Sequence, residues 1–188
     1  MASSATPFIR RANSETALDV NGRDAHVLIG APDNNNQMCI IEYFSSPGHE
    51  PPPHLHVQED EYFYVLSGSM EAHCAGQVLQ ANPGDLLFFP KNTPHAWHIQ
   101  TPELRTLILF TPASGANVFI ELGVPKNKQA ADYYGTHFAE PNSRRRINPT
   151  MEDILKLASR NEVHYLTEEE IARDLPQYKP RPRLIEGI

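Results

Sequence analysis

The chain has 188 residues, of which 40% are hydrophobic, and a formal net charge of -7. This length and apolar content suit one domain with a sizeable core. The acidic balance argues against nucleic acid or an anionic membrane as the main partner, because both require a basic surface, and it favours a small molecule.

The N-terminal segment, which we take as an arm over residues 1–24, carries no targeting signal that we recognise. It lacks the apolar centre of a signal peptide, and no run in the chain approaches the roughly 18–20 apolar residues of a membrane span. Cys39 and Cys74 are too few for a disulfide framework and too far apart for a zinc finger. We therefore expect a cytoplasmic protein with no membrane partner.

A strand-rich segment follows over residues 25–125. Short apolar runs alternate there with Gly, Pro and Asn, a pattern that is typical of antiparallel β-structure. The pattern predicts an all-β domain. The predicted strands, in chain order, are HVLIG, QMCIIEYF, EYFYVLSGSMEAH, QVLQA, DLLFFP, AWHIQ, LRTLILFTP and NVFIELG.

Residues 126–188 form a C-terminal extension of different character. After the run Arg144–Arg146, which reads as a solvated turn, PTMEDILKLASRN has Thr150 as a helix N-cap and apolar residues at helical spacing. LTEEEIARDL repeats this logic with Thr167 as N-cap and Glu170 three residues later. We expect two short helices, followed by a proline-rich tail that lies extended on the surface or on a neighbouring subunit.

Three histidines in the strand-rich segment suggest a metal site. In PPPHLHVQEDEYFYVLSG, His54 and His56 share one face of a strand because side chains alternate with a period of two. In NPGDLLFFPKNTPHAWHI, His95 opens a later strand. Three imidazoles and one carboxylate suit a single divalent transition metal (Fe, Ni, Co, Mn, Cu or Zn) and leave positions open for substrate.

The identity of the carboxylate ligand is open at this level. Glu59, Asp60 and Glu61 are consecutive, and each could reach a metal. Strand alternation separates Asp60 from Glu61 but does not say which of them faces inward.

The spacing of these residues resembles the two motifs of the cupin superfamily. Gly48, His54, His56, Glu61 and Gly68 match the first motif in full. The second motif is matched at Gly84, Pro90 and His95, but Asn92 stands where a Gly is usual and Ile99 where an Asn is frequent.

The cupin resemblance, which covers Ala25 to Leu122, implies a small antiparallel β-barrel of the jelly-roll type. It also implies that His54, His56, Glu61 and His95 are the metal ligands. Glu59 and Asp60 are then left as a solvated rim, and Asn92 raises the question of whether the turn keeps its usual shape. Cupins commonly pair their barrels, so a homodimer is expected.

Within the cupins, the chain is similar to quercetinase-like monocupins. The similarity rests on GDLLFFPKNTPHAW, on GANVFIELGVP after the barrel and on the appended helix near Met151. It implies a flavonol 2,4-dioxygenase-like activity on an aromatic or enolic substrate, with dioxygen as co-substrate and carbon monoxide as a product. Glu61 would then be the catalytic base that takes a proton from the substrate hydroxyl.

Two other functions remain compatible with the same ligand set. One is a non-oxidative isomerase, cyclase or decarboxylase that acts on a polyketide-like natural product, and the other is a ligand-binding cupin without catalysis. For the histidines near the motifs, we expect His49 at the mouth of the pocket and His98 on the strand surface. The substrate pocket is expected to be lined by apolar side chains, namely Met38, Ile40, Phe63, Phe89, Trp97 and Phe119.

Overall fold

The structure is a computed structural model that describes residues 6–137 and 151–182, without the side chains of residues 137 and 151–153. The run Arg144–Arg146, the predicted N-cap Thr150 and residues 183–188 of the tail lie outside this range.

The described residues form twelve strands and five helices. The helices are α1 (Ala31–Asn34), α2 (Ala116–Leu122), α3 (Lys128–His137), α4 (Met151–Arg160) and α5 (Glu168–Asp174), and single 3-10 turns cover Ser14–Thr16 and Ala113–Gly115. The strands are β1 (Ala17–Val20), β2 (Arg23–Ile29), β3 (Cys39–Ser45), β4 (His54–His56), β5 (Asp60–Ser67), β6 (Met70–Cys74), β7 (Gln77–Ala81), β8 (Leu86–Phe89), β9 (His95–Ile99), β10 (Leu104–Thr111), β11 (Val124–Pro125) and β12 (Val163–Tyr165).

The strands make two antiparallel sheets with a common core. One sheet has the order β11-β1-β2-β3-β10-β5-β8, and the other has the order β12-β4-β9-β6-β7. Buried apolar side chains from both sheets form one cluster; for example, the Phe63 ring of the first sheet lies 4.9 Å from the Trp97 ring of the second. The predicted all-β jelly roll with short C-terminal helices is confirmed.

Strand β5 shows how alternation separates the core from the solvent. Glu61, Phe63 and Val65 are buried, whereas Tyr64 is exposed and Tyr62 stacks on the exposed ring of Phe88 outside the sheet. Because a shift of one residue would exchange these two sets, burial of the apolar face sets the register of this strand. Glu61 is thereby turned into the space between the sheets.

Two turns depend on backbone conformations that few residues adopt. Gly68 has φ +79°, and a side chain there would collide with the Glu103 carbonyl and the Thr101 hydroxyl, so only Gly fits. Asn92, at the position where a Gly is usual, has φ +57°. Asn tolerates this left-handed region well, and the Asn92 N–H donates to the His56 carbonyl at 2.7 Å. The turn therefore keeps its shape without Gly.

The predicted strand NVFIELG is wrong, because these residues lie in helix α2. Ala116 and Ile120 are buried and are separated by four residues, which is one helical turn and not a strand period. Gly115 is the N-cap of this helix, and a side chain there would collide with the Phe110 ring. A short apolar run of this kind does not distinguish a strand from a buried helix by its pattern alone.

The predicted C-terminal helices are confirmed as α4 and α5. Thr167 caps α5 through a reciprocal pair of hydrogen bonds with Glu170, as its sequence indicates. The sequence pattern did not indicate helix α3 or strand β12. At the start of the tail, Tyr178 is buried in a small cluster with Leu175 and Ala96.

At the other end, strand β1 lies inside the segment that we took as an N-terminal arm and pairs with β2. Part of that arm therefore belongs to the sheet. Among residues 6–137 and 151–182, no helix is long and apolar enough to cross a membrane.

A buried carboxylate ties the loop before β4 to the sheet. Glu50 Oε2 accepts the Gly48 N–H and Oε1 accepts the Ile99 N–H, both at 2.7 Å. The loop that leads into His54 is thereby attached to strand β9, which carries His95.

We predict that Glu50→Ala lowers the free energy of unfolding by about 2–4 kcal/mol, because two backbone N–H groups lose a charged acceptor inside the protein. Urea unfolding measures the effect, with Glu103→Ala as a control at an exposed glutamate. Equal stability of the two variants would contradict the role given to Glu50.

Candidate metal centre

The histidines and the glutamate of the predicted site meet between the two sheets. Strand β4 carries His54 and His56 and pairs with β9 so that His54 lies opposite His95. Glu61 comes from β5 in the other sheet, where it lies between Phe110 and Phe89 of the neighbouring strands. Four side chains from three strands therefore converge, and all four are buried.

The four side chains are close enough to share one ion. Each offers one ligand atom, and these atoms all lie within 4.8 Å of one another. Glu61 Oε2 is 3.1 Å from His95 Nε2 and 3.4 Å from His56 Nε2. Ligand atoms bound to one metal at the usual 2.0–2.2 Å lie roughly 3.0–3.4 Å apart, so these spacings suit a common ion.

Contacts on the outer ring nitrogens orient two of the imidazoles. His54 Nδ1 is 2.8 Å from the Pro52 carbonyl, and His95 Nδ1 is 2.9 Å from the Thr93 carbonyl. A carbonyl oxygen only accepts, so each Nδ1 carries the proton and each Nε2 has its lone pair free for a metal.

The outer nitrogen of His56 faces a carboxylate. Glu59 Oε2 lies 3.7 Å from His56 Nδ1, and Glu59 Oε1 accepts a hydrogen bond from the Ser114 hydroxyl.

The expectation that Glu59 is part of a solvated rim is wrong, because its exposure is only 2%. Val57 and Gln58 take the exposed positions of the short connection between β4 and β5, and Glu59 turns inward to Ser114. Asp60 stays partly exposed and accepts the Lys91 N–H at 2.9 Å.

The pKa shifts of the buried side chains show how their charges act on one another. Burial would raise the pKa of Glu61, but the adjacent His56 and His95 imidazoles outweigh it and hold that pKa well below its usual range. Burial, together with the neighbouring His95 and His56, lowers the pKa of His54 well below its usual value. Burial also lowers the pKa of His56, but Glu59 and Glu61 outweigh it and raise that pKa to about 9.

These observations fit a divalent metal. Two carboxyl groups are buried here, and no Lys or Arg is among the described residues that line the adjoining cavity. Both ring nitrogens of His56 are buried without a well-formed hydrogen bond to the described residues. Buried charges and polar atoms are costly unless they are paired, and a cation between His54, His56, Glu61 and His95 would pair them.

A cavity of about 120 Å³ adjoins this cluster. Its wall includes His54, His56 and Glu61, and its other described lining residues are mostly apolar. Phe63, Trp97 and Phe119 line it, as does His49. Tyr43 also lines the cavity, and burial raises the pKa of Tyr43 to about 12, so its hydroxyl stays protonated.

The other three side chains expected in the pocket do not line this cavity, and our prediction for them is corrected here. Met38 precedes β3, and its carbonyl accepts a hydrogen bond from the Asn34 side chain. Ile40 is on the face of β3 opposite to the fully buried Ile41, because side chains alternate along the strand. Phe89 is buried behind the centre, where its ring stacks on His95 with centroids 4.6 Å apart.

The C-terminal extension supplies lining residues that we did not predict. Ile154, Leu157 and Ala158 of α4, and Val163 and Tyr165 of β12, all line the cavity. Strand β12 pairs with β4 so that Tyr165 lies opposite His54, and their rings are 5.9 Å apart. The helical spacing in α4 indicated an apolar face, but a three-residue strand has too short a pattern to be predicted.

Comparison with known proteins gives one family and several relatives. Residues 44–111 match the cupin domain family. The chain is 29% identical over 122 residues to quercetin 2,3-dioxygenase of Bacillus subtilis (strain 168). That match covers 64% of this chain and 36% of the dioxygenase, so the chain spans about a third of that relative's length.

Solved structures that are similar to part of this chain include KdgF from Halomonas sp. and the DMSP lyase DddQ from Ruegeria pomeroyi. KdgF has a TM-score of 0.43 and 24% identity, over 48% of this chain and 79% of its own. DddQ has a TM-score of 0.42 and 25% identity, over 47% of this chain and 46% of its own.

We predict that Glu59→Gln weakens metal binding by about 10–100-fold, since it removes the charged partner of His56 Nδ1. Asp60→Asn is the matched control, because it removes the neighbouring carboxylate from a partly exposed position. Isothermal titration of the metal-free protein measures both affinities. Wild-type affinity in Glu59→Gln would show that this carboxylate does not support His56.

Proposed function

We propose that this chain, whose residues 44–111 match the cupin domain family, is a metal-dependent dioxygenase of a phenolic or otherwise enolic substrate. The observation that carries the proposal is the cluster of His54, His56, Glu61 and His95, of which His54, His56 and Glu61 line a largely apolar, aromatic cavity. The 29% identity to a quercetin 2,3-dioxygenase supports it.

One divalent transition metal, held by these four residues, would bind and polarise the substrate oxygen at its open coordination positions. Its identity stays open among Fe, Ni, Co, Mn, Cu and Zn, because three imidazoles and a carboxylate suit all of them.

Glu61 is the group that we propose as the base. Its contacts to His56 and His95 both involve Oε2, and no hydrogen bond within the described residues engages Oε1. A substrate hydroxyl beside Oε1 can transfer its proton there, which leaves the substrate as an enolate or phenolate. Burial raises the proton affinity of this carboxylate and favours the role, whereas the adjacent His56 and His95 act against it.

The rings around the cavity orient a planar substrate. The Trp97 ring is 5.6 Å from the His54 ring and 4.9 Å from the Phe63 ring, so the aromatic wall reaches the metal cluster directly. Aromatic ligands pack favourably against such rings in offset or edge-on arrangements. Tyr43 can add a hydrogen bond to a substrate oxygen.

The cavity volume limits the substrate. About 120 Å³ is less than the roughly 150 Å³ of an apolar cavity that holds benzene. A single compact ring is therefore near the limit of the enclosed space, and a three-ring flavonol requires the wall to move. Residues of α4 and β12 form one side of this wall, and we propose that they set the size of the substrate and exclude water from it.

We predict that Glu61→Gln lowers turnover about 10²–10⁴-fold at saturating metal, while much of the metal is retained. The amide keeps an oxygen that can bind the metal but cannot take up the substrate proton. Elemental analysis and steady-state kinetics on the same preparations separate the two effects, with Glu103→Gln as a control. Parallel losses of metal and activity would leave Glu61 as a ligand only.

We also predict that metal-loaded protein consumes dioxygen and releases carbon monoxide with flavonols or smaller phenolic enols. An oxygen electrode and gas analysis follow both gases during turnover. Turnover that proceeds equally well without oxygen would replace the dioxygenase with a Lewis-acid isomerase, cyclase or decarboxylase. Tight binding without turnover would favour a ligand-binding cupin.

A further inference from the structure

A second cluster of metal-ligating residues lies on the outer face of the five-stranded sheet. Glu71 and His73 are two residues apart on β6, and Glu71 pairs with His98 of β9. Because side chains alternate, these three lie on the face opposite to Ala72 and Trp97, which point into the core. The cluster is therefore separated from the cavity by the sheet itself.

The cluster has the spacing of a metal site. Each of its three residues offers one ligand atom, and these atoms lie within 4.8 Å of one another. Glu71 Oε1 is 3.1 Å from His73 Nε2, and the Gln80 side chain donates to Glu71 Oε2 at 2.8 Å. This second hydrogen bond orients the carboxylate in the way that outer contacts orient metal ligands.

Two nitrogen atoms of the cluster are buried without a partner. His73 and His98 are each only 4% exposed. His73 Nδ1 and His98 Nε2 have no hydrogen-bond partner among the described residues. A buried ring nitrogen that is left unpaired is costly. An ion bound through His98 Nε2 would pair that nitrogen, whereas the His73 nitrogen that faces Glu71 is Nε2.

The C-terminal segment covers the cluster. The Tyr178 ring stacks on His98 with centroids 4.8 Å apart and meets His73 edge-on at 5.5 Å. Leu175 and Tyr178 pack beside it against Ala96. The two imidazoles are thus shielded by a segment that is distant in sequence, while Glu71 remains partly exposed and offers access.

Charged residues near His98 have opposite effects on a bound cation. Arg181 repels it, whereas Glu50 and Glu71 attract it.

We propose that Glu71, His73 and His98 form a second divalent metal site, of the zinc-binding type, under the C-terminal segment. Two imidazoles and one carboxylate are a common ligand set for Zn²⁺, with a fourth position left for water. An ion there joins β6 to β9 and orders the imidazole surface on which Tyr178 packs. The site is independent of the centre in the cavity and does not rest on the proposed function.

Zn²⁺ stoichiometry tests this site directly. Chelator-stripped protein is equilibrated with Zn²⁺ by dialysis, and the bound metal is measured by elemental analysis. We expect the double variant Glu71→Gln and His98→Gln to bind one equivalent fewer than the wild type. The control His164→Gln changes an exposed histidine that also contacts a glutamate, Glu170 at 3.1 Å, and should bind as the wild type does.

A second measurement keeps the test valid if the double variant folds poorly. The single variant Glu71→Gln changes only the partly exposed ligand and can still accept the hydrogen bond from Gln80. In a His54→Ala background, where the first centre has lost a ligand, Zn²⁺ should raise the melting temperature, and Glu71→Gln should abolish this rise. Unchanged Zn²⁺ stoichiometry in the double variant, or an unchanged rise in Glu71→Gln, would overturn the proposal.

Discussion

Burial of two carboxyl groups between apolar sheets is the constraint on which the rest of this structure depends. Glu59 and Glu61 are both nearly inaccessible, and the described residues that line the adjoining cavity include imidazoles but no Lys or Arg. Without a cation, His56 is the group whose pKa rises to offset these charges. With a divalent cation, all three imidazoles can bind through Nε2 and the carboxylate charge is balanced without a protonated ring.

The fold holds this charged cluster with backbone contacts that are distant in sequence. Glu50 attaches the loop before β4 to β9, and the Asn92 N–H attaches the turn before His95 to the His56 carbonyl. The ligands from β4 and β9 are thereby fixed to each other, while Glu61 approaches from the opposite sheet. The binding site requires both sheets, so its geometry is a property of the whole barrel rather than of one motif.

The sequence predicted the parts of the centre that depend on local periodicity and spacing. His54 and His56 share a face because of strand alternation, and their rings lie 5.1 Å apart. The same reasoning could not detect the inward turn of Glu59, because its partner Ser114 is 55 positions away. It also missed β12 and took α2 for a strand, since both are short apolar segments whose state is decided by what they pack against. The prediction that Met38 and Ile40 line the pocket is wrong for a related reason. Composition alone does not say where β3 begins or which of its faces points inward.

The proposed chemistry needs a metal at one place and a base beside it, and the cavity, its aromatic wall and its C-terminal cover are arranged around that place. Anomalous diffraction at the absorption edge of the metal, from crystals of the metal-loaded protein, tests this most directly. The account predicts an anomalous peak within bonding distance of His54, His56, Glu61 and His95. A fully loaded crystal with no peak between these four side chains would contradict it.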